Sequence, residues 1–350
     1  MFNCISINQG GGITYLSMMH SDLDKKGNLL FLDHRVKKKL KPFINAETIF
    51  FKKNLFRNFF LLKKRLKYFF IYRSNLSKNN KNEYFKEYFL NGIPPLFRFP
   101  RSTNKVFVLF QNKNLFSYIN YFDKKLFFEI KFIIYHLIHF LLINLFLRNT
   151  DTIIVQTNSM KKTILSLKPK NEIIIQDKPW KNINLEIYKF NLIKNKREIT
   201  SKFLLNKIKD ISRNNKIYFY PSSLEPHKNH KILLNTFNKI SFISNINIKL
   251  ILTIDKNKVP IKYRYNQLIL FIGNQPIDVI IQIYKSSDFL IYPSLNESLG
   301  LPLIEASFYK IPIMASNLDY VFDVCQPNYI FNPFSEEDIY KKILDSINQI

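Results

Sequence analysis

Two glutamates and one lysine stand out in this 350-residue chain as groups suited to joint chemistry. Glu297 and Glu305 are eight positions apart in the block YPSLNESLGLPLIEA (292–306), which follows an apolar run and contains a helix start. Lys228 lies in the loop SSLEPHKNH, after another apolar run and at the beginning of a periodic helix. Carboxylates accept hydrogen bonds from hydroxyl groups, and a lysine ammonium binds phosphate. These residue types therefore fit a pocket for a polyol attached to a phosphate.

The sequence after Glu297 predicts a helix start that can face an anion. Pro302 suits the first helical turn, where a missing N–H costs nothing. The amides of residues 298–301 would then face an anion at the helix N-terminus. Glu305 would lie about one turn inside the helix and could reach the same cavity, because helical side chains point towards the N-terminus. Two carboxylates would repel a diphosphate, so we expect them to bind hydroxyl groups of a sugar and a ribose.

Short continuous apolar runs alternate with helical segments along the chain, a pattern typical of parallel strands covered on both faces. The runs of the first half are NLLFLD (28–33), KVFVLF (105–110), TIIVQ (152–156) and EIIIQ (172–176). Those of the second half are IYFYP (217–221), IKLILTI (248–254), LILFIG (268–273), DFLIYP (288–293) and IPIMAS (311–316). Two doubly wound α/β domains follow. Ligands bind beyond the carboxyl ends of such strands, which is where Glu297 and Lys228 fall.

Length and composition also indicate two domains, since 350 residues exceed what one core usually organises. The polar, Lys/Asn-rich segment around 178–215 contains the junction, and we predict domains 1–185 and 186–350. Cys4 and Cys325 have no ligand-like or redox-like spacing, and no export signal precedes the first Gly-rich stretch. We therefore expect a cytoplasmic protein.

Positive charge is concentrated in the first part of the chain. Residues 1–150 have 26 basic and 8 acidic side chains, a net charge of +18, whereas residues 251–350 have a net charge of −3. This bias suggests an anionic partner for the basic part, either a membrane surface or nucleic acid. Between residues 35 and 73 basic and phenylalanine side chains alternate. That pattern fits an interfacial helix or an amphipathic helix packed on its own core.

Residues 126–147 are about long enough to cross a bilayer. They include Glu129, Lys131, His136 and His139, and a strand-like run follows directly. These polar groups favour a buried or membrane-apposed helix of a globular domain. We therefore expect at most a peripheral position at the cytoplasmic face of a membrane.

The block around the two glutamates resembles the signature of the retaining glycosyltransferases of family 4, which have the GT-B fold of two Rossmann-like domains facing a central cleft. The matching residues are Glu297, Ser298, Gly300, Leu301, Pro302 and Glu305. Further segments are similar to other family motifs: QGGGITYL (9–16) to the Gly-rich first loop, TDTIIVQTNSMKKTIL (150–165) to the last strand and helix of the acceptor domain, YPSSLEPHKNH (220–230) to the donor-phosphate loop, and IGNQP (272–276) to the loop beside the base.

By this resemblance Glu305 binds the ribose, Glu297 is the catalytic residue at the transferred sugar, and Lys228 binds the diphosphate. The other donor-binding residues that it implies are Ser223, Gly273, Ser298, Leu299, Gly300, Leu301, Gly11 and Gly12, and those on the acceptor side are Gln111 and Asn112. The implied reaction is retaining transfer of a hexose from a nucleotide diphosphate sugar to a glycan or lipid-linked acceptor, in surface polysaccharide or lipopolysaccharide synthesis. No metal, no cofactor beyond the sugar nucleotide as co-substrate and no specific nucleic acid are implied.

The chain departs from the family pattern in three places. Ser223 stands where many relatives have an arginine, and Gln111 and Asn112 stand where many have a histidine. The sequence also ends at Ile350, where relatives usually continue with another helix. The alternatives are a non-catalytic or truncated GT-B protein, a sugar-nucleotide epimerase of the same architecture, and a basic nucleic-acid-binding protein.

Overall fold

The computed structural model describes residues 1–5, 7, 10–52, 61–71, 85–90, 92–95, 98–99, 104–110, 130–168, 170–176 and 198–348. The chain divides into two compact units, Met1–Ile193 (unit 1) and Lys194–Ile350 (unit 2). The domain boundary predicted at 185/186 lies outside the described residues.

The described part of unit 1 contains a seven-stranded sheet of order β3-β2-β1-β4-β5-β6-β7. Its strands are β1 (Phe2–Cys4), β2 (Leu29–Asp33), β3 (Glu47–Phe51), β4 (Phe85–Phe89), β5 (Asn104–Leu109), β6 (Thr152–Val155) and β7 (Glu172–Ile175). Its helices are α1 (Gly10–Met18), α2 (His20–Leu23), α3 (61–71), α4 (Ile130–Phe146) and α5 (Asn158–Leu167), with a 3-10 turn at His34–Lys38. All paired strands are parallel, so crossover connections join them.

Unit 2 contains a six-stranded parallel sheet of order β10-β9-β8-β11-β12-β13. Its strands are β8 (Lys216–Tyr220), β9 (Ile248–Leu252), β10 (Ile269–Phe271), β11 (Phe289–Tyr292), β12 (Ile313–Ser316) and β13 (Tyr329–Phe331). Its helices are α6 (Glu198–Ser212), α7 (His230–Ile240), α8 (Ile261–Arg264), α9 (Ile277–Lys285), α10 (Leu301–Phe308), α11 (Asp319–Phe322) and α12 (Glu336–Asn348), with 3-10 turns at Pro226–Lys228 and Lys256–Lys258. The strand order reverses between β8 and β11, which places the topological switch point there.

Side chains of β8 show why this strand lies at the centre of unit 2. Tyr218 stacks on Phe289 at a centroid distance of 5.3 Å and meets Phe237 of α7 edge-on. On the opposite face Phe219 contacts the ring of Tyr284 on α9. All of these rings are buried, so helices cover both faces of the sheet, as the continuous apolar run predicts.

Within the segment 35–73, the structure has a strand, β3, and the helix α3. Helix α3 packs on the core of unit 1, which is one of the two predicted arrangements. Arg65 and Phe69 are buried, and Arg65 forms a bidentate ion pair with Glu87 of β4 at 2.8 and 2.9 Å. Phe70 and Ile71 are exposed by 61% and 44%. One face of α3 therefore packs into unit 1 while its end presents apolar side chains to solvent.

Helix α4 occupies most of the apolar segment 126–147, which confirms the predicted helix. Within the described residues, no helix combines the length and the hydropathy needed to cross a membrane. Ile143 is fully buried, whereas Leu137, Leu141 and Leu145 are each at least half exposed. Because these three leucines are four positions apart, they form one exposed apolar stripe on α4.

Candidate functional site

The candidate site lies at the carboxyl edge of the unit 2 sheet, at its switch point. Strands β8 and β11 are parallel neighbours, with Leu290 paired to Phe219. The loop that follows β8 carries Lys228, and the loop that follows β11 carries Glu297. Both loops leave the same edge of the sheet because the two strands run in the same direction. The structure thus brings together the two residues that the sequence placed in one pocket.

Lys228 and Glu297 form a direct ion pair, with 2.6 Å between Lys228 Nζ and Glu297 Oε1. Their side chains are only 15% and 11% exposed, so water screens the pair weakly. Burial alone would raise the pKa of Glu297. The charges of Lys228 and His227, with hydrogen bonds from Lys228 and Ser294, nevertheless lower this pKa below its ordinary value. Glu297 is therefore an ionised carboxylate at neutral pH.

The loops after β8 and β11 are hydrogen-bonded to each other. The Leu295 amide donates to the His227 carbonyl at 2.7 Å. The Ser294 hydroxyl lies 2.6 Å from Glu297 Oε1 and 3.1 Å from the same His227 carbonyl. These contacts fix the distance between the two loop backbones. The ion pair is consequently built into the fold rather than formed by two mobile surface chains.

Asn229 joins three loops at this edge. It adopts a left-handed conformation with φ of 56° directly before α7, a conformation that asparagine tolerates better than most residues. Its side-chain amide donates to the Pro293 carbonyl at 3.2 Å and to the Pro333 carbonyl at 2.8 Å. The loop that follows β8 is thereby tied to the loops that follow β11 and β13.

Two buried tyrosines donate hydrogen bonds to the backbones of the loops that follow β8 and β11. The Tyr220 hydroxyl donates to the Lys228 carbonyl at 2.8 Å, and the Tyr320 hydroxyl donates to the Ser294 carbonyl at 2.7 Å. Burial, followed by the charge of Glu297, raises the pKa of Tyr220 well above its ordinary value. Tyr220 therefore stays a neutral hydroxyl donor.

His230, the first residue of α7, is buried directly after the loop that follows β8. Its Nε2 lies 2.9 Å from the Ser222 hydroxyl, and its Nδ1 has no hydrogen-bond partner among the described residues. Burial, then the charges of Lys228 and His227, lower the pKa of His230 to about 3. Ser222 is also held through its backbone, because its amide donates to Thr253 Oγ1 at 2.8 Å. A neutral histidine is thus hydrogen-bonded to Ser222, near the start of the loop that follows β8.

Glu305 lies on α10, which begins after the Glu297 loop as predicted, with Pro302 in its first turn. Tyr284 of α9 donates a hydrogen bond to Glu305 Oε2 at 2.8 Å. Gly300 caps the helix with φ of 66°, and a Cβ there would lie 3.1 Å from Leu303 Cδ1. Both the backbone conformation and the close approach therefore favour glycine at this position.

The remaining predicted donor residues are spread over several elements. Ser223 is exposed in the loop after β8, Ser298 is partly buried and Leu299 is buried. Gly273 follows β10 with φ of 65° and open space beside its Cα. Leu301 is the first residue of α10.

The remaining predicted site residues belong to unit 1. Gly11 and Gly12 fall within the first turn of α1 rather than in a loop. Gln111 and Asn112 lie outside the described residues. In the part of the chain that the structure describes, no group of three or more His, Cys, Asp or Glu side chains is placed to hold a metal ion.

Sequence reasoning missed the residues that position Lys228 and Glu297, which are Ser222, Asn229, His230, Ser294, Tyr220 and Tyr320. One local signal was available, since asparagine between a loop lysine and a helix start is typical of a left-handed turn. The carbonyl partners of Asn229 are 64 and 104 positions away and gave no signal.

Residues 201–349 match the family model of the glycosyl transferases group 1. This part of the chain is similar to the group 1 glycosyltransferases. The match covers the strands and helices that carry Lys228, Glu297 and Glu305, so these three residues all lie inside the matched segment. No curated protein sequence is significantly similar to the chain.

Solved glycosyltransferase structures resemble the whole chain. Sucrose-phosphate synthase from Thermosynechococcus elongatus matches with a TM-score of 0.64 and 13% identity, over 99% of this chain and 90% of that one. WaaG, described as a glycosyltransferase involved in lipopolysaccharide biosynthesis, matches with a TM-score of 0.61 and 12% identity, over 100% and 91%. A glycosyltransferase from Rickettsia africae matches with a TM-score of 0.60 and 15% identity, over 99% and 87%. At these identities the likeness concerns the fold, and it confirms the predicted GT-B class. Family and fold together support glycosyl transfer.

Proposed function

We propose that this protein is a retaining hexosyltransferase that moves a hexose from a nucleotide diphosphate sugar to a glycan or lipid-linked acceptor. The observation that carries the proposal is the partly buried pair of Lys228 and Glu297 at the switch point of unit 2, followed in the chain by Glu305 on α10. A cation, an ionised carboxylate and a helix N-terminus at one sheet edge match the parts of a donor made of ribose, diphosphate and sugar.

In this proposal each part of the site binds a different part of the donor. Lys228 binds the diphosphate, and the amides at the start of α10 assist it. Glu305 accepts a hydrogen bond from a ribose hydroxyl, while Tyr284 holds its Oε2 and so orients the carboxylate. Gly273 lets the backbone of its loop approach the base.

The chemical step breaks the bond between the anomeric carbon and the diphosphate oxygen and forms a bond from the acceptor oxygen on the same face, while the proton of the acceptor hydroxyl passes to the leaving diphosphate oxygen. Lys228 and the α10 amides stabilise the negative charge that develops on the leaving diphosphate. Glu297, which is ionised, stabilises the positive charge that develops on the sugar. Removal of one such preorganised group typically lowers kcat by about 10²–10³. We propose that no metal ion takes part, so turnover should be unchanged by EDTA.

Unit 1 is proposed to bind the acceptor at an anionic membrane surface. Three exposed lysines of α3, Lys63, Lys64 and Lys67, precede the exposed Phe70 and Ile71, a combination suited to an interfacial helix. The structural neighbour WaaG is involved in lipopolysaccharide biosynthesis, which supports a surface glycan as the product.

The membrane part is tested by flotation with vesicles of phosphatidylglycerol and phosphatidylcholine at physiological ionic strength. We expect the wild type to float and a Phe70→Ser/Ile71→Ser variant to stay behind. The control is Phe242→Ser, since Phe242 is 83% exposed but lies in unit 2. Failure of the wild type to float would remove the membrane from the proposal.

The catalytic part is tested by the release of nucleoside diphosphate from a competent donor. A donor is first found by thermal stabilisation, because a ligand at 100 times its Kd adds about 2.7 kcal/mol to the unfolding free energy. We expect Lys228→Ala and Glu305→Gln each to slow release strongly. Lys239→Ala is the matched control, because Lys239 also pairs with a glutamate, Glu337, but is half exposed. Wild-type rates in both site variants would show that the site assignment is wrong.

A further inference from the structure

Lys228, the proposed diphosphate ligand, is paired with a carboxylate of the same site. Lys228 Nζ donates to Glu297 Oε1 at 2.6 Å, and the Ser294 hydroxyl lies 2.6 Å from the same oxygen. The exposed pair of Lys239 and Glu337 has side chains 51% and 52% exposed. Lys228 and Glu297 are exposed by only 15% and 11%, so their mutual attraction is screened far less.

The ion pair is also held in register by the fold. The Leu295 amide and the Asn229 side chain tie the backbones of the two loops together. The phenol of Tyr220 fixes the backbone carbonyl of Lys228 itself. Because these contacts do not involve either charged group, the loop backbones keep the ammonium and the carboxylate within reach of each other.

A bound diphosphate must therefore compete with Glu297 for Lys228. An intact donor offers compensation, because the hydroxyl groups of its sugar can hydrogen-bond the carboxylate that the lysine has left. The nucleoside diphosphate product has lost that sugar and offers none. Recapture of Lys228 by Glu297 then favours departure of the product.

We propose that the Lys228–Glu297 ion pair weakens the binding of free nucleoside diphosphate relative to the intact donor and so promotes product release. This inference rests on the proposed function, because it takes Lys228 as the diphosphate ligand. It assigns Glu297 a role in the step after chemistry, in addition to its proposed role at the transferred sugar.

The test measures the affinity of uridine, guanosine and adenosine diphosphate by calorimetry for the wild type and for Glu297→Gln. Glutamine keeps the shape of the side chain and can still accept a hydrogen bond from Lys228, but it has no charge. We expect the best-bound diphosphate to bind Glu297→Gln about tenfold more tightly than the wild type. Glu337→Gln, which breaks the exposed pair instead, should leave the affinity unchanged.

A double-mutant cycle distinguishes the ion pair from simple repulsion between Glu297 and the diphosphate. In a Lys228→Met background, Glu297→Gln should no longer tighten binding, because there is no cation left to release. Lys228→Gln provides a second neutral background should the methionine variant fold poorly. Equal tightening with and without Lys228 would overturn the inference, and so would wild-type or weaker affinity in Glu297→Gln. If none of the three diphosphates binds any variant, the proposed function itself is wrong.

Discussion

Replacing Asn229 tests whether its left-handed turn or its side-chain hydrogen bonds position Lys228. Asn229→Ala removes the bonds to the Pro293 and Pro333 carbonyls, at 3.2 and 2.8 Å. Each bond contributes about 1 kcal/mol, and a φ of 56° costs alanine about 1 kcal/mol more. We therefore expect the unfolding free energy of unit 2 to fall by about 3 kcal/mol. Asn229→Gly loses the same bonds without the backbone penalty, so its loss should be about 2 kcal/mol.

Asn245 provides a matched control for the backbone term. It is also left-handed, with φ of 59°, but it is exposed in the turn before β9. Asn245→Ala should cost about 1 kcal/mol, and Asn245→Gly should cost almost nothing.

Calorimetry measures these differences as shifts of the unit 2 transition, at about 2–4 °C per kcal/mol for a domain of this size. In the same samples, Asn229→Gly should bind nucleoside diphosphate more weakly than the wild type. The reason is that the Asn229 side chain no longer ties the loop that follows β8 to the loop that follows β11. Wild-type stability and affinity in Asn229→Gly would show that the turn alone matters and that the side-chain bonds do not position the site.

Three further predictions concern groups buried in the two units. The lowered pKa of His230, about 3 in the folded state, means that the unfolded chain binds a proton below about pH 6.5 that the folded chain does not. Stability should thus fall as the pH decreases from about 6.5 towards 3, and His230→Gln should flatten the part of this dependence seen in acid denaturation above pH 5. Gly300→Ala should destabilise unit 2 by about 1–2 kcal/mol in calorimetry, from the left-handed backbone and the contact with Leu303. In unit 1, Arg65→Met leaves the Glu87 carboxylate buried without its arginine partner. The unfolding free energy measured in urea should fall by about 3–5 kcal/mol. An Arg65→Met/Glu87→Leu double variant should recover much of that loss.

Much of the sheet architecture could be predicted because its strands are continuous apolar runs buried on both faces. β9 to β12 all lie within the predicted runs, and β8 begins one residue before its run. β1, β3, β4 and β13 were not predicted. Asn3 interrupts the apolar residues of β1, and Lys86 and Glu87 interrupt those of β4. β4 is an example: it contains Glu87, which is fully buried only because Arg65 and Asn104 bind it. Such partners are distant in sequence, so no local pattern indicates them.

The candidate site was predictable to the level of which loops meet, and no further. The apolar runs before Lys228 and Glu297 imply parallel strands, and parallel strands end at one edge. That the two side chains pair directly depends on β8 and β11 being neighbours, although they are separated in the chain by β9 and β10. The sequence shows each strand but not their order in the sheet.

Three buried tyrosines that donate hydrogen bonds to the site lower the entropy cost of ligand binding. Tyr220, Tyr284 and Tyr320 each place a hydroxyl on a group of the site, namely the Lys228 carbonyl, the Glu305 carboxylate and the Ser294 carbonyl. A tyrosine side chain has few rotatable bonds and these three are fully buried, so their positions are fixed when the protein folds. The ordering of the binding loops is thereby completed during folding, and a ligand that enters later loses less affinity to loop immobilisation.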